Sequence, residues 1–245
     1  MIADGNIVSA IDLASREAGF CLCQKTPMGW TFLAEKSLGS AQNVSERFID
    51  QFQKSLAEIS LPLSNVTHWI TSGGPGGFTG LRIAASTLKG FAFAHPAPAI
   101  IVNSAEIRAL DWVAQNDVED DTPMAVLTRA GRVKYVRSLF KKEGQQIKLI
   151  KESSCEIKNL KENTDPQTQF IVDSTFEADH LPDTKTTLVE LNSRMMVKNL
   201  KLSQQSIELD TIKSMIEYSP NYYGTPYRTV EEQRAFRAAK EKLKH

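Results

Sequence analysis

The sequence predicts an α/β protein made of two halves, each a mixed sheet with helices. Three observations predict it. Hydrophobic periodicity reads in the order β-β-β-α-β-α-β, and the second half repeats that order less cleanly, without a visible sequence repeat. A chain of 245 residues with 41% hydrophobic and 24% charged residues can bury a sizeable core without staples. Strand, glycine-rich turn and helix follow one another between residues 66 and 95, as in an open α/β sheet.

The elements follow in order. Residues 7 to 13 (IVSAIDL), 18 to 24 (AGFCLCQ) and 29 to 35 (GWTFLAE) are strand-like runs separated by short polar turns, a three-stranded meander. Over residues 43 to 59 the period changes. Val44, Phe48, Phe52 and Leu56 recur every four residues, which predicts an amphipathic helix with Asn43 as cap and Glu46 as its reciprocal partner. Residues 66 to 72 (VTHWITS) read as a buried strand. A helix over about 80 to 95 places Leu81, Ala84, Leu88 and Phe91 on one side and stops at Pro96 and Pro98. Residues 99 to 102 (AIIV) form the next strand, and 105 to 114 a connecting helix. The acids Asp117, Glu119, Asp120 and Asp121 mark an exposed inter-domain loop.

Strands are expected at about 124 to 128, 133 to 140, 146 to 152, 169 to 173 and 186 to 191. Helices are expected near 156 to 163, 193 to 202 and 207 to 217. The expected division is 1–103 and 104–228, with the last segments packing back on the first half, and a basic helical tail at 229–245.

Charge narrows the function classes. Lys plus Arg (29) balances Asp plus Glu (29), so neither a strongly basic nucleic-acid binder nor an acidic disordered chain fits. Three cysteines, Cys21, Cys23 and Cys155, make no disulfide framework. No window approaches about 18 apolar residues, so no membrane span is expected. Residues 1 to 6 carry neither a basic nor an apolar leader pattern, and the expected location is the cytoplasm.

The segment Thr71-Ser72-Gly73-Gly74-Pro75-Gly76-Gly77-Phe78-Thr79-Gly80-Leu81-Arg82 is the most informative. It follows a strand and opens a helix, with five glycines in eight residues and Thr79 as a natural N-cap. Gly74, Gly76, Gly77 and Thr79 are therefore candidates for holding phosphate, because free backbone N–H groups and a helix N-terminus attract anions. It is neither a Walker A loop nor a dinucleotide fingerprint. Physics alone leaves it open between a phosphate loop and a packing device. Asp12, at the end of the first strand, is placed either to hold a metal–phosphate or to cap a turn, the turn being the commoner use.

His68, His95, His180 and His245 have no partner at i+3 or i+4, there is no Cys-x-x-Cys, and no local metal ligand set is expected. No nucleophile elbow occurs. Between residues 129 and 151, eight basic residues face one acid, Glu143, a net of +7. Lys134, Arg137 and Lys141 are the polyanion candidates there, against the commoner reading of a solvated sheet face.

From Gly74 to Arg82 the chain resembles the bacterial TsaB (YeaZ) family, whose loop reads Gly-Pro-Gly-Ser-Phe-Thr-Gly-Leu-Arg; only Gly77 differs. Ala10-Ile11-Asp12, Asn43-Val44-Ser45-Glu46-Arg47 and Pro226-Tyr227-Arg228 resemble further family segments in the right order. The resemblance implies two actin-like (ASKHA, RNase H-like) halves and a part in making threonylcarbamoyladenosine in tRNA. It implies a scaffold subunit without catalytic residues of its own, paired with a TsaD-like catalytic subunit and a TsaE-like ATPase, with tRNA bound through the complex. No cofactor is expected on this chain alone, with ATP or ADP, if anywhere, at the partner interface, and a homodimer is expected in isolation because an exposed patch on two copies is self-complementary about a two-fold axis. The helices at 43 to 59 and 80 to 95 would form that interface, with Phe48, Phe52, Arg82, Ser86 and Lys89 as candidates.

The family's Thr after Asp12 is Leu13 here, its His is Val44, and its acidic strand becomes Thr128 to Tyr135 without the acids. The alternative is an ATP-using enzyme of the actin/sugar-kinase class, which needs a phosphate loop in each half; Ala130-Gly131 in the second half reads only as a hairpin turn. A protease reading has no nucleophile–base pair to support it.

Overall fold

The computed structural model describes residues 2–39, 44–130, 134–156, 165–174, 176 and 186–220. Asn43, most of the helix expected at 156 to 163, Pro226 to Arg228 and the tail at 229–245 lie outside the described residues.

The meander forms as expected: β1 (Ile7–Asp12), β2 (Ala18–Thr26) and β3 (Gly29–Gly39) pair antiparallel in sequence. Helix α1 (Val44–Glu58) then leads through a short 3₁₀ turn to β4 (Val66–Gly74), which lies parallel to β1. Helix α2 (Phe78–Ala94) leads to β5 (Ala99–Asn103), parallel to β4. After helix α3 (Ser104–Gln115) the second sheet begins with β6 (Pro123–Arg129), β7 (Lys134–Glu143) and β8 (Gln146–Glu156), again antiparallel. It ends with β9 (Gln169–Val172) and β10 (Thr186–Leu188), both added in parallel.

Residues 193 to 202, expected as one helix, are helical only over α4 (Ser193–Asn199). The helix expected at 207 to 217 is corrected more sharply. Residues Ile207–Leu209 form a strand, β11, and only α5 (Ile212–Glu217) is helical. β11 returns to the first sheet and pairs antiparallel with β5, giving the orders β11-β5-β4-β1-β2-β3 and β10-β9-β6-β7-β8. Ile101 of β5 offers an edge to Ile207, and that tertiary partner overrides a helix-like local pattern.

Four buried apolar clusters hold the fold among the described residues, one of them formed by Ala125, Leu127, Phe170 and Val172 of the second sheet. On one face of the first sheet Ile11, Phe20 and Trp69 pack with Phe48 and Phe52 of α1, Leu88 of α2 and Met215 of α5. On its other face Val8, Cys21, Ile70 and Ile100 pack with Ile107 of α3 and with Met195, Met196 and Val197 of α4. The opposite side of α3 (Ala105, Ala109, Leu110, Trp112) covers Met124, Val126, Phe140 and Ile171 of the second sheet. α3 therefore lies between the two sheets and is apolar on both sides, as a helix buried all round must be.

The acids after α3 do not form a free linker. Asp120 accepts from Lys142 at 2.7 Å and from the Gly144 N–H at 3.2 Å, and Asp121 lies 3.6 Å from Lys141. Together with Lys148–Glu143 at 3.6 Å, these contacts tie down part of the basic excess on β7 and β8. Such exposed pairs contribute only about 0–1 kcal/mol each.

Candidate functional site

The glycine loop joins β4 to α2. Gly74 has φ +107° and its peptide bond to Pro75 is cis. The helix starts at Phe78, with Gly77 in the cap position and no side-chain cap, so Thr79 is an exposed second helical residue rather than the N-cap. The β1–β2 turn sits directly over the loop. The Gly77 N–H donates to the Ala14 carbonyl at 3.0 Å. A Cβ on Gly76 would stand 3.1 Å from the Ala14 Cβ, and one on Gly80 only 1.9 Å from the Leu13 carbonyl oxygen. From behind, the Ser104 hydroxyl donates to the Pro75 carbonyl. A Cβ on Gly73 would meet the Tyr218 hydroxyl at 2.9 Å. The structure thus brings Asp12, Gly74, Gly76 and Gly77 to one place, and the glycines are needed there for close backbone approach.

Asp12 ends β1 and is fully buried. Its Oδ1 accepts the N–H groups of Ala14 at 3.0 Å and Ser15 at 3.3 Å, which shapes the turn that covers the loop. Burial pushes its carboxyl above its usual value, while the bonds from Ser15 and Ala14 and the charge of Arg108 pull the other way. A folded chain that holds this proton more tightly than the unfolded chain gains stability below the unfolded pKa, and loses that gain as pH rises through the folded one. The stability of the wild type relative to Asp12→Asn should therefore fall as pH rises above the ordinary aspartate range, about pH 4, read as the difference in Tm. A difference that is flat with pH would contradict a buried, titrating Asp12.

Two charged residues that the sequence reading passed over are buried on α3. Arg108 of α3 is 2% exposed and stands 3.5 Å from Asp173, which follows β9. Glu106, 1% exposed, accepts the N–H groups of Gln204 at 2.8 Å and Gln205 at 3.1 Å, and the Ser203 hydroxyl. The signal was present in the residues. Two charges two positions apart on a helix point about 200° apart, so they cannot share one solvated face.

The expected partner residues divide. Phe48 and Phe52 are 0% and 1% exposed, with rings against Phe20, Phe91 and Trp69, and are core, not interface. Arg82 and Ser86 of α2 are exposed, and Lys89 is half-buried. They belong to a stripe that continues to Gly90, whose Cβ position meets open space, and to Phe93, 77% exposed. Ile49 of α1 is 41% exposed.

Of the polyanion candidates, Arg137 is half-buried and Lys141 exposed beside Asp121; the Lys134 side chain lies outside the described residues. Among the described residues no group of three or more His, Cys, Asp or Glu side chains is arranged for a metal ion, and no helix is long and apolar enough to cross a membrane.

No curated protein matches the sequence significantly. Among solved structures, the chain is similar to an uncharacterised Pseudomonas aeruginosa protein, itself described as similar to peptidase YeaZ. That match has 15% identity and a TM-score of 0.69 over 89% of this chain and 100% of the other. It is also similar to YeaZ from Pseudomonas aeruginosa, with 17% identity and a TM-score of 0.61 over 80% of this chain and 90% of the other. These likenesses establish the fold: two mixed sheets with helices, of the actin-like two-lobed type. The family described as "TsaD: tRNA N6-adenosine threonylcarbamoyltransferase" matches residues 39–207, more than half of the chain. The chain therefore belongs to that family, with a role in the biosynthesis of threonylcarbamoyladenosine in tRNA.

Proposed function

We propose that the chain is a non-catalytic partner subunit that supports a TsaD-like catalytic subunit in tRNA threonylcarbamoylation. The observation that carries this reading is the use made of the glycine loop. The Gly77 N–H is spent on Ala14, Gly80 is pressed against Leu13, and Asp12 caps the turn above them. A loop that serves a kinase-type ATP user presents its N–H groups to phosphate; this one presents Gly77's to its own backbone. The free feature is instead the outer stripe of α2, Arg82, Ser86, Gly90 and Phe93, where small residues beside an exposed ring suit helix-on-helix docking.

In this reading the same stripe pairs two copies in the isolated protein and one copy with the catalytic subunit, because a patch that is self-complementary about a two-fold axis also serves a partner of like shape. A TsaE-like ATPase and tRNA join through the complex, in the cytoplasm. ATP or ADP, where present, belongs at the partner interface.

Reconstitution tests the reading. The chain alone should hydrolyse ATP no faster than buffer, and adding it to the TsaD-like subunit should raise threonylcarbamoyladenosine formation on tRNA. Magnesium-dependent turnover by the chain alone, abolished in Asp12→Ala, would instead establish the ATP-using alternative.

A further inference from the structure

We propose that Arg16 is a latch that shuts the crevice between the two sheets. Topology sets the crevice. β1, β4 and β5 run parallel and end at Asp12, Gly74 and Asn103. β6, β9 and β10 also run parallel and end at Arg129, Val172 and Leu188. Ligands of open α/β sheets bind outside the carboxyl ends of such strands. Arg16 lies in the β1–β2 turn at the first of these edges, and Ser174 follows β9 at the second. The Arg16 Nη1 donates to the Ser174 carbonyl at 3.0 Å and to the Ser174 hydroxyl oxygen at 2.8 Å, a direct contact between residues 158 positions apart.

Both ends of the latch are held from behind. On the first sheet, Asp12 Oδ1 accepts the Ala14 and Ser15 N–H groups, and the Ala14 carbonyl accepts the Gly77 N–H. On the second, the Ser174 N–H donates to Glu190 Oε1 at 2.7 Å, and the Val189 N–H donates to the Val172 carbonyl at 2.8 Å. Asp173, next to Ser174, lies 3.5 Å from Arg108 of α3. Each turn therefore moves with its own sheet, and the Arg16 side chain spans the space between them.

The chemistry of the link suits opening and closing. A guanidinium nitrogen of the Nη type carries two N–H groups, so Nη1 serves the carbonyl and the hydroxyl of one residue together. The donor is charged, which strengthens both bonds over neutral ones. Arg16 and Ser174 are nevertheless exposed, so water replaces the bonds when they part and neither sheet has to unfold. A ligand that enters the crevice at this point has first to displace the arginine. The latch lies on different residues from the outer stripe of α2, and it stands whether or not that stripe binds a partner.

Distances between two nitroxide labels on the full chain test the proposal. Lys36→Cys on β3 and Thr187→Cys on β10 are exposed and stand near the two edges, through the pairs Phe20 with Lys36 and Ile171 with Thr187. Cys155→Ser removes the half-buried native thiol, while Cys21 and Cys23 are buried. Dilution with excess unlabelled chain leaves only pairs within one copy. With Arg16 in place the distance distribution should be narrow. Arg16→Ala should broaden it toward longer distances, and Arg16→Glu, which sets a carboxylate against the Ser174 carbonyl, should do so further. Hydrogen exchange at Ser174 should become several-fold faster in both variants, with β7 and β8 unchanged. Distributions identical to that with Arg16 in both variants would overturn the latch. Faster exchange at Ser174 with no change in distance would overturn it as well, because the contact would then steady one turn and not the crevice.

Discussion

Gly80→Ala should lower Tm by roughly 6–12 °C, through a loss of about 3 kcal/mol at about 2–4 °C per kcal/mol for a chain of this size. An added Cβ would stand 1.9 Å from the Leu13 carbonyl oxygen, 2.6 Å from Ala14 Cα and 2.7 Å from the Leu13 carbonyl carbon. All three are backbone atoms, so no side chain can swing aside. Helix propensity alone would favour the alanine by about 1 kcal/mol, and the collision outweighs it. Gly90 supplies the control within the same helix, because nothing lies within 4 Å of its Cβ position. Gly90→Ala should therefore gain up to about 1 kcal/mol. Thermal melts of the two variants decide the matter. Equal effects at the two positions would show that the β1–β2 turn does not press on α2.

Glu106→Ala should cost about 3–4 kcal/mol. The carboxylate is 1% exposed and gathers two backbone N–H groups and a hydroxyl from residues 203 to 205. Hydrogen bonds to a charged group contribute about 1.5–3 kcal/mol, and donors left unpaired on burial add to the loss. The consequence is local as well as global. The 203–205 turn delivers β11 to the edge of β5, so its release should speed amide exchange of Ile207–Leu209 more than that of β4. Glu106→Gln, which keeps one oxygen acceptor, should lose about half as much. Intact β11 protection in Glu106→Ala would mean that the strand pairing holds without its anchor.

These residues mark the limit of what the sequence makes legible. The four-residue spacing of Val44, Phe48, Phe52 and Leu56 identifies α1, and strand, glycine loop and helix identify the β4–α2 unit, because periodicity and turn chemistry are local. The same stripe cannot say what covers it. Phe48 and Phe52 read equally well as core or as docking surface until Phe20, Phe91 and Trp69 are seen around them. Thr79 reads as a cap on residue type, but Ala14, more than sixty positions earlier in the chain, takes the Gly77 N–H and Gly77 becomes the cap residue. β11 is three residues long and owes its extended form to β5, about a hundred positions away. Arg108 is visible as a charge in an apolar helix, yet its partners Thr128 and Asp173 are brought to it only by the packing of α3 on the second sheet.

Ser86→Arg tests the docking account most directly. Ser86 is exposed near the middle of the outer stripe of α2, so the change should leave Tm nearly as it was, within the range of about 0.5 kcal/mol usual for surface substitutions. Sedimentation of the purified chain, alone and mixed with the TsaD-like subunit, reads assembly. The account predicts that the wild type forms a homodimer alone and a heterodimer in the mixture, and that Ser86→Arg is monomeric in both. A Ser86→Arg chain that keeps its fold and still forms both assemblies at wild-type affinity would contradict it.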